Sequence, residues 1–173
     1  MKKKLEEMYK DDQRAQNFDE LKIKKFGKTY IDSMNTEIDR IFKGNTDTLK
    51  KYFKSHSYPW VNLNDEKTAI YFWTIIQHSD YDVEFQKEVL KVMEKGIRNK
   101  TVVLRNYAFL YDRVMLNTNQ KQLYGTQLKW IDNTPQPYPE LEFPEKVDEL
   151  RKKLGLISLQ EYYTMLLRIK PNH

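Results

Sequence analysis

Cysteine is absent from this 173-residue sequence, which excludes disulfides, thiolate nucleophiles and cysteine-ligated zinc together and fits a reducing compartment. Glycine is scarce, with five residues and no cluster, so neither a Walker loop nor a dinucleotide-binding glycine loop can be placed on the chain. The three histidines, His56, His78 and His173, are far apart, and no HxH, HExxH or EF-hand spacing occurs. No metal site and no cofactor is expected from such a pattern. Long apolar runs are missing too. The longest, residues 69–76, is broken by Thr74 and falls far short of the roughly 20 residues needed to span a bilayer. At the start, three lysines run into Glu6 and Glu7, where a signal peptide needs an apolar stretch. The sequence as written therefore reads as cytoplasmic, although a leader removed beforehand would leave no trace.

What is present is globular material. Hydrophobic residues make up 39%, charged residues 32% and aromatics 13%, enough for one substantial core under a charged surface. The net charge is +5, which raises the question of nucleic acid. The basic residues are spread over short runs at 2–7, 22–28, 50–54 and 151–153, and no nucleic-acid motif accompanies them. A solvated lysine-rich surface is the better reading.

Periodicity predicts a mainly α chain, a compact helical bundle with a small β-hairpin near residues 121–132. It reads as one domain over 1–173: an N-terminal helical arm (1–28), a helical body (29–116), a hairpin and proline-rich loop (117–143) and C-terminal helices (144–173). Ile31, Met34, Ile38, Ile41 and Phe42 share a helix face that is expected to stop at Gly44. Asn45 or Thr46 would then cap a short helix carrying Leu49, Tyr52 and Phe53, closed by a turn at Tyr58-Pro59-Trp60. Residues 65–78 and 101–116 are apolar on nearly every face, which predicts two central helices. Between them, Phe85, Val89, Val92 and Met93 mark a one-faced helix, capped by Ser79 or Asp80. Residues 122–131 carry β-formers and a glycine ahead of Pro135, Pro137, Pro139 and Pro144.

Three groups of residues invite chemistry. Arg105, Asn106, Asp112 and Arg113 form a polar stripe on a helix otherwise made of core residues, so they are either an internal network or the wall of a pocket. Gln77, His78 and Asp82 lie where the first central helix ends, and a His oriented by a carboxylate serves as acid, base or anion ligand. Alternation in a strand would put Gln122, Tyr124 and Thr126 on one face and Gly125 and Gln127 on the other. In each case a structural reading stands beside the functional one.

The segments Gln77-His78-Ser79-Asp80, Ala108-Phe109-Leu110-Tyr111-Asp112-Arg113-Val114, Gln122-Leu123-Tyr124-Gly125-Thr126-Gln127, and Val147-Asp148 with Arg151 and Gly155-Leu156 resemble the ordered boxes of a bacterial domain-of-unknown-function family. The resemblance covers about residues 49–163, with a looser match at Asp12-Gln13-Arg14. It implies a compact helical fold with a polar cluster built from the His, Asp-Arg and Tyr-Gly-Thr-Gln boxes, and it implies no reaction.

The expectation is a pocket for a small anionic ligand or peptide between the two central helices, roofed by residues 124–127. His78, Arg105, Asp112, Arg113 and Gln127 would line it, joined by Gln77, Asp82, Gln122, Tyr124 and Thr126. If the pocket is catalytic, His78 is the acid/base and Arg113 the oxyanion stabiliser of a cofactor-independent hydrolase or transferase. The alternative is a protein–protein interaction module, such as an immunity or defence-associated protein, in which the polar boxes are an internal brace.

Overall fold

The computed structural model describes residues 2–58 and 66–169. The chain is mainly α and divides into two compact units, residues 1–92 and 93–173.

In the first unit, α1 (Lys2–Ala15) buries Leu5, Met8, Asp12 and Ala15. Their spacing of three and four residues forms one helical stripe, and α1 lays it against α3 and α4. After α2 (Glu20–Phe26), capped by Asp19, comes α3 (Lys28–His56), 29 residues without interruption. The stop expected at Gly44 does not occur. Gly44 is interior to α3, Thr46 Oγ1 donates to the Phe42 carbonyl within the helix, and Asn45 Nδ2 reaches across to the Met8 carbonyl. The residues that looked like a helix cap make tertiary bonds instead. Tyr58 is buried with its ring edge-on to Phe72, while Pro59 and Trp60 of the expected turn lie outside the described residues.

Helix α4 (Glu66–Gln77) supplies the core of this unit through Ala69, Phe72, Ile75 and Ile76. Helix α5 (Val83–Arg98) follows and contains the boundary between the units. Its cap is Asp82, whose Oδ1 accepts from Phe85 N at 3.1 Å. Ser79, one of the expected caps, is fully buried and bonded to Thr46 Oγ1 and the Ile75 carbonyl.

The second unit is built on α6 (Leu104–Asn117), which buries Tyr107, Ala108, Leu110, Asp112 and Val114. The hairpin pairs β1 (Leu128–Ile131) with β2 (Thr134–Pro137) in antiparallel register. Its turn residues Asp132 and Asn133 both have positive φ, 46° and 60°, the twist that a two-residue hairpin turn requires. The strands therefore lie after residues 122–127, which form a loop. That loop pairs with the segment after the hairpin through a bridge between Gln122 and Leu141 and through Tyr138 N, which donates to the Gln127 carbonyl. A 3₁₀ turn at Pro144–Lys146 leads into α7 (Val147–Lys153), and α8 (Leu159–Ile169) closes the unit. Among the described residues, no helix is long and apolar enough to cross a membrane.

Candidate functional site

In the first unit, the buried stripe of α1 delivers a carboxylate to the end of α4. Asp12 is 1% exposed, and its Oδ2 lies 2.7 Å from His78 Nδ1. Its Oδ1 accepts from Gln13 Nε2 and Gln16 Nε2 at 2.8 and 3.1 Å. The His78 ring stacks on Phe42, with centroids 4.8 Å apart and planes 11° apart. A proton on Nδ1 would be donated to Asp12 Oδ2. Gln77 is buried beside it in sequence, and its Nε2 has no hydrogen-bond partner among the described residues.

The carboxylate that the sequence offered to His78, Asp82, is engaged elsewhere. It caps α5 and pairs with Lys50 Nζ. Burial pushes the Asp82 carboxyl up, but the Lys50 ammonium and the Phe85 N–H outweigh it and hold it below its ordinary value. The physical reason for the exchange of partners is helix geometry. A carboxylate at the N-cap is drawn to the open N–H groups of its own helix, and Asp82 N is itself tied back to the Ser79 carbonyl.

In the second unit, Asp112 is fully buried and organises the loop that follows α6. Its Oδ1 accepts from Leu123 N and Tyr124 N at 3.0 and 3.2 Å, and its Oδ2 from Thr126 N and Thr126 Oγ1, both at 2.9 Å. Burial raises its carboxyl above the ordinary value against the pull of these four donors. The N–H groups of Leu123, Tyr124 and Thr126 point inward at one carboxylate, so residues 123–126 cannot join a ladder as a strand would.

Gln122, also fully buried, fastens the same loop. Its Nε2 donates to the Gln127 and Pro139 carbonyls while its Oε1 accepts from Gln127 N. Arg113 Nη1 donates to Gln127 Oε1 at 3.3 Å. Tyr124 is buried edge-on to Tyr111, and burial beside Asp112 pushes its hydroxyl up to about 12. Gly125 has φ +63°, and a Cβ there would stand 2.8 Å from Leu159 Cδ1. A side chain is thus excluded by both conformation and space.

Beyond this brace lies a cleft of about 250 Å³, lined by Arg105, Phe109, Arg151, Gly155, Leu156, Ile157, Tyr162 and Met165. Arg151 is 2% exposed. Its Nε donates to the Ile157 carbonyl at 2.7 Å and its Nη1 to the Tyr124 carbonyl at 2.6 Å. Among the described residues no carboxylate forms an ion pair with Arg151 or with Arg105, and Arg105 makes no hydrogen bond. Burial lowers the Arg151 guanidinium from its ordinary value, with Tyr162, Asp148 and Asp112 pulling it back. A guanidinium stays protonated through such a shift.

The two arginines belong to one row of side chains. Arg105 lies 5.1 Å from the centre of the Phe109 ring, Phe109 meets Tyr162 edge-on at 6.3 Å, and Arg151 lies 5.1 Å from the centre of Tyr162. Cations on aromatic faces are well placed, and here both also line the cleft.

The structure thus gathers Asp112, Arg113, Gln122, Tyr124, Thr126 and Gln127 in one network of the second unit. Arg105 sits on the same helix and lines the cleft. Gln77, His78 and Asp82 lie in the first unit. Two residues escaped the sequence reading of the site. Asp12 sits in the 5-8-12-15 stripe of α1, and Arg151 stands four residues after buried Val147 on α7. In both cases a charge at an apolar helical position was the available signal. Among the described residues, no three His, Asp or Glu side chains gather where a metal ion could be held.

No curated protein and no solved structure matches the chain. A family model does match, over residues 6–170, and the ordered boxes from His78 through Gly155 fall inside that span. The chain therefore belongs to DUF6624, a family of unknown function.

Proposed function

We propose that this protein binds a small anionic ligand in the arginine cleft of its second unit. The observation that carries the reading is Arg151, a guanidinium almost fully removed from water that hydrogen-bonds two neutral carbonyls and pairs with no described carboxylate. Removing a charge from water is costly, and such a group is ordinarily balanced by an opposite charge. A bound anion would supply that balance. Arg105 at the rim adds a second cation.

In this reading the Asp112 network supports the site from behind. Asp112 fixes the Tyr124 backbone, the Tyr124 carbonyl fixes Arg151, and Arg151 faces the cleft. Asp112, Gln122 and Thr126 then position the site without touching the ligand, because their polar groups are used within the loop. Among the described residues no histidine, serine, threonine or carboxylate lines the cleft, and Tyr162 is its one side chain of the acid/base kind, so we read it as a binding site. His78 is assigned to the first unit's own junction, holding α1 to the end of α4 through Asp12.

Calorimetric titration of the full chain with a panel of small organic anions tests the proposal, with Arg105→Ala as the control. Saturable binding that the variant weakens is expected. Binding that is equal in the variant would place the anion elsewhere and overturn the reading.

A further inference from the structure

Resting on the anion-binding reading above, we propose that the ligand is a small monocarboxylate carrying an apolar or aromatic body, and that phosphate is rejected. The inference starts from a count of donors. A guanidinium has five N–H groups. Arg151 commits two of them, one from Nε to the Ile157 carbonyl and one from Nη1 to the Tyr124 carbonyl. Three remain, on a side chain that is 2% exposed and lines the cleft. So narrow an approach suits one ligand oxygen. The second oxygen of a carboxylate is then left for Arg105, or for the Tyr162 hydroxyl, which makes no hydrogen bond among the described residues.

A phosphate dianion demands more than this wall offers. Phosphate sites commonly draw on backbone N–H groups at loops and helix N-termini. Here the Gly155 and Leu156 N–H groups are bonded to the Lys152 and Arg151 carbonyls. The start of α8 is closed by carboxylates, with Leu159 N on Asp148 and Ser158 N on Glu161. Those acids add repulsion toward a double negative charge. They leave a single charge, held against two guanidiniums, as the better match.

The remaining wall sets the body of the ligand. Phe109, Leu156, Ile157, Tyr162 and Met165 are apolar or aromatic, and burying apolar surface against them is favourable where a bare inorganic anion gains nothing. At about 250 Å³ the cleft lies just under the range of about 300–1,000 Å³ typical of drug-sized sites. A ligand of phenylacetate or hexanoate size fits that space.

The test is titration of the full chain with phenylacetate, hexanoate, acetate, phenylacetamide, inorganic phosphate and phenyl phosphate at fixed ionic strength. Phenylacetate and hexanoate are expected to bind at least about tenfold more tightly than acetate or phenylacetamide, the effect of one good interaction of 1.4 kcal/mol. Arg105→Ala should weaken phenylacetate by a similar factor, and Met165→Trp, which fills the cleft without touching its charges, should abolish binding. If phosphate or phenyl phosphate binds as well as phenylacetate, or acetate binds as well as hexanoate, the carboxylate assignment is overturned while the anion site stands. If no anion binds, or if binding survives both variants unchanged, the anion site itself is lost.

Discussion

Among the described residues each unit buries one aspartate on a helix, and the two are satisfied in opposite ways. Asp12 meets a histidine, a group that can carry the opposite charge, and two glutamine amides. Asp112 meets only neutral donors, three backbone N–H groups and a threonine hydroxyl. The second unit then buries a cation, Arg151, and satisfies it with neutral carbonyls as well. Opposite charges that would cancel in the first unit are kept apart in the second. A guanidinium that has no ion pair to give up remains available to something outside the chain.

The comparison breaks most severely at Asp112. Asp112→Ala would leave inward-pointing N–H groups without acceptors, at about 1–3 kcal/mol for each unsatisfied group. A total loss of about 3–5 kcal/mol is expected, read as a fall in the midpoint of urea unfolding. A loss below 1 kcal/mol would show that water replaces the carboxylate and that the brace is dispensable.

Gly125→Ala should follow, because its φ of +63° and the 2.8 Å approach to Leu159 Cδ1 add strain of about 1–3 kcal/mol. Leu159→Ala in the same chain should return part of that loss. Without such recovery, the backbone conformation alone would be responsible.

At the Asp12 junction, His78→Ala is expected to cost about 1–3 kcal/mol, since it leaves a buried carboxylate oxygen without its partner. A double-mutant cycle with Asp12→Ala checks the coupling. An unchanged melting temperature would instead assign His78 to ligand contact.

Asp82→Ala should be milder, at about 1 kcal/mol for a lost helix cap, measured by urea unfolding. The folded Asp82 carboxyl lies below the ordinary value, so its contribution is present above the unfolded value and disappears as pH falls through the folded one. Acid titration of stability should therefore show a smaller loss below about pH 4 in Asp82→Asn than in the parent chain. The smallest effect has the opposite sign. Gly44 lies in the interior of α3, and a Cβ there meets nothing within 4 Å, so Gly44→Ala should stabilise by about 0.5–1 kcal/mol.

The helices were legible in the sequence where apolar residues kept a 3.6-residue period, as in α1, α5 and α8, or filled nearly every face, as in α4 and α6. Gly44 misled because glycine followed by Asn45 and Thr46 has the grammar of a helix end and a new cap, while the bonds those residues make to Met8 and Ser79 are set by chain positions more than 30 residues away. The loop at 122–127 misled for the same reason. Its alternation looks like a strand, yet its N–H groups go to Asp112, on a different element.

For the candidate site, the polar boxes were visible as charges and amides on otherwise apolar segments, and Arg105 was among them. Arg151 was hidden in a run with Lys152 and Lys153 that reads as solvated surface. Only the spacing from Val147 shows that its first residue turns inward while the next two do not.

The two carbonyls that clamp Arg151 have a further consequence. An arginine on a surface samples many rotamers and must stop moving when a ligand arrives, which subtracts from affinity. Pinned at Nε and Nη1, Arg151 has already stopped, and its remaining N–H groups keep a fixed direction. Arg105, without such anchors, still has that freedom to lose. The cleft therefore has a rigid jaw and a loose one, and selectivity for ligand shape should reside in the rigid jaw while the loose one adapts.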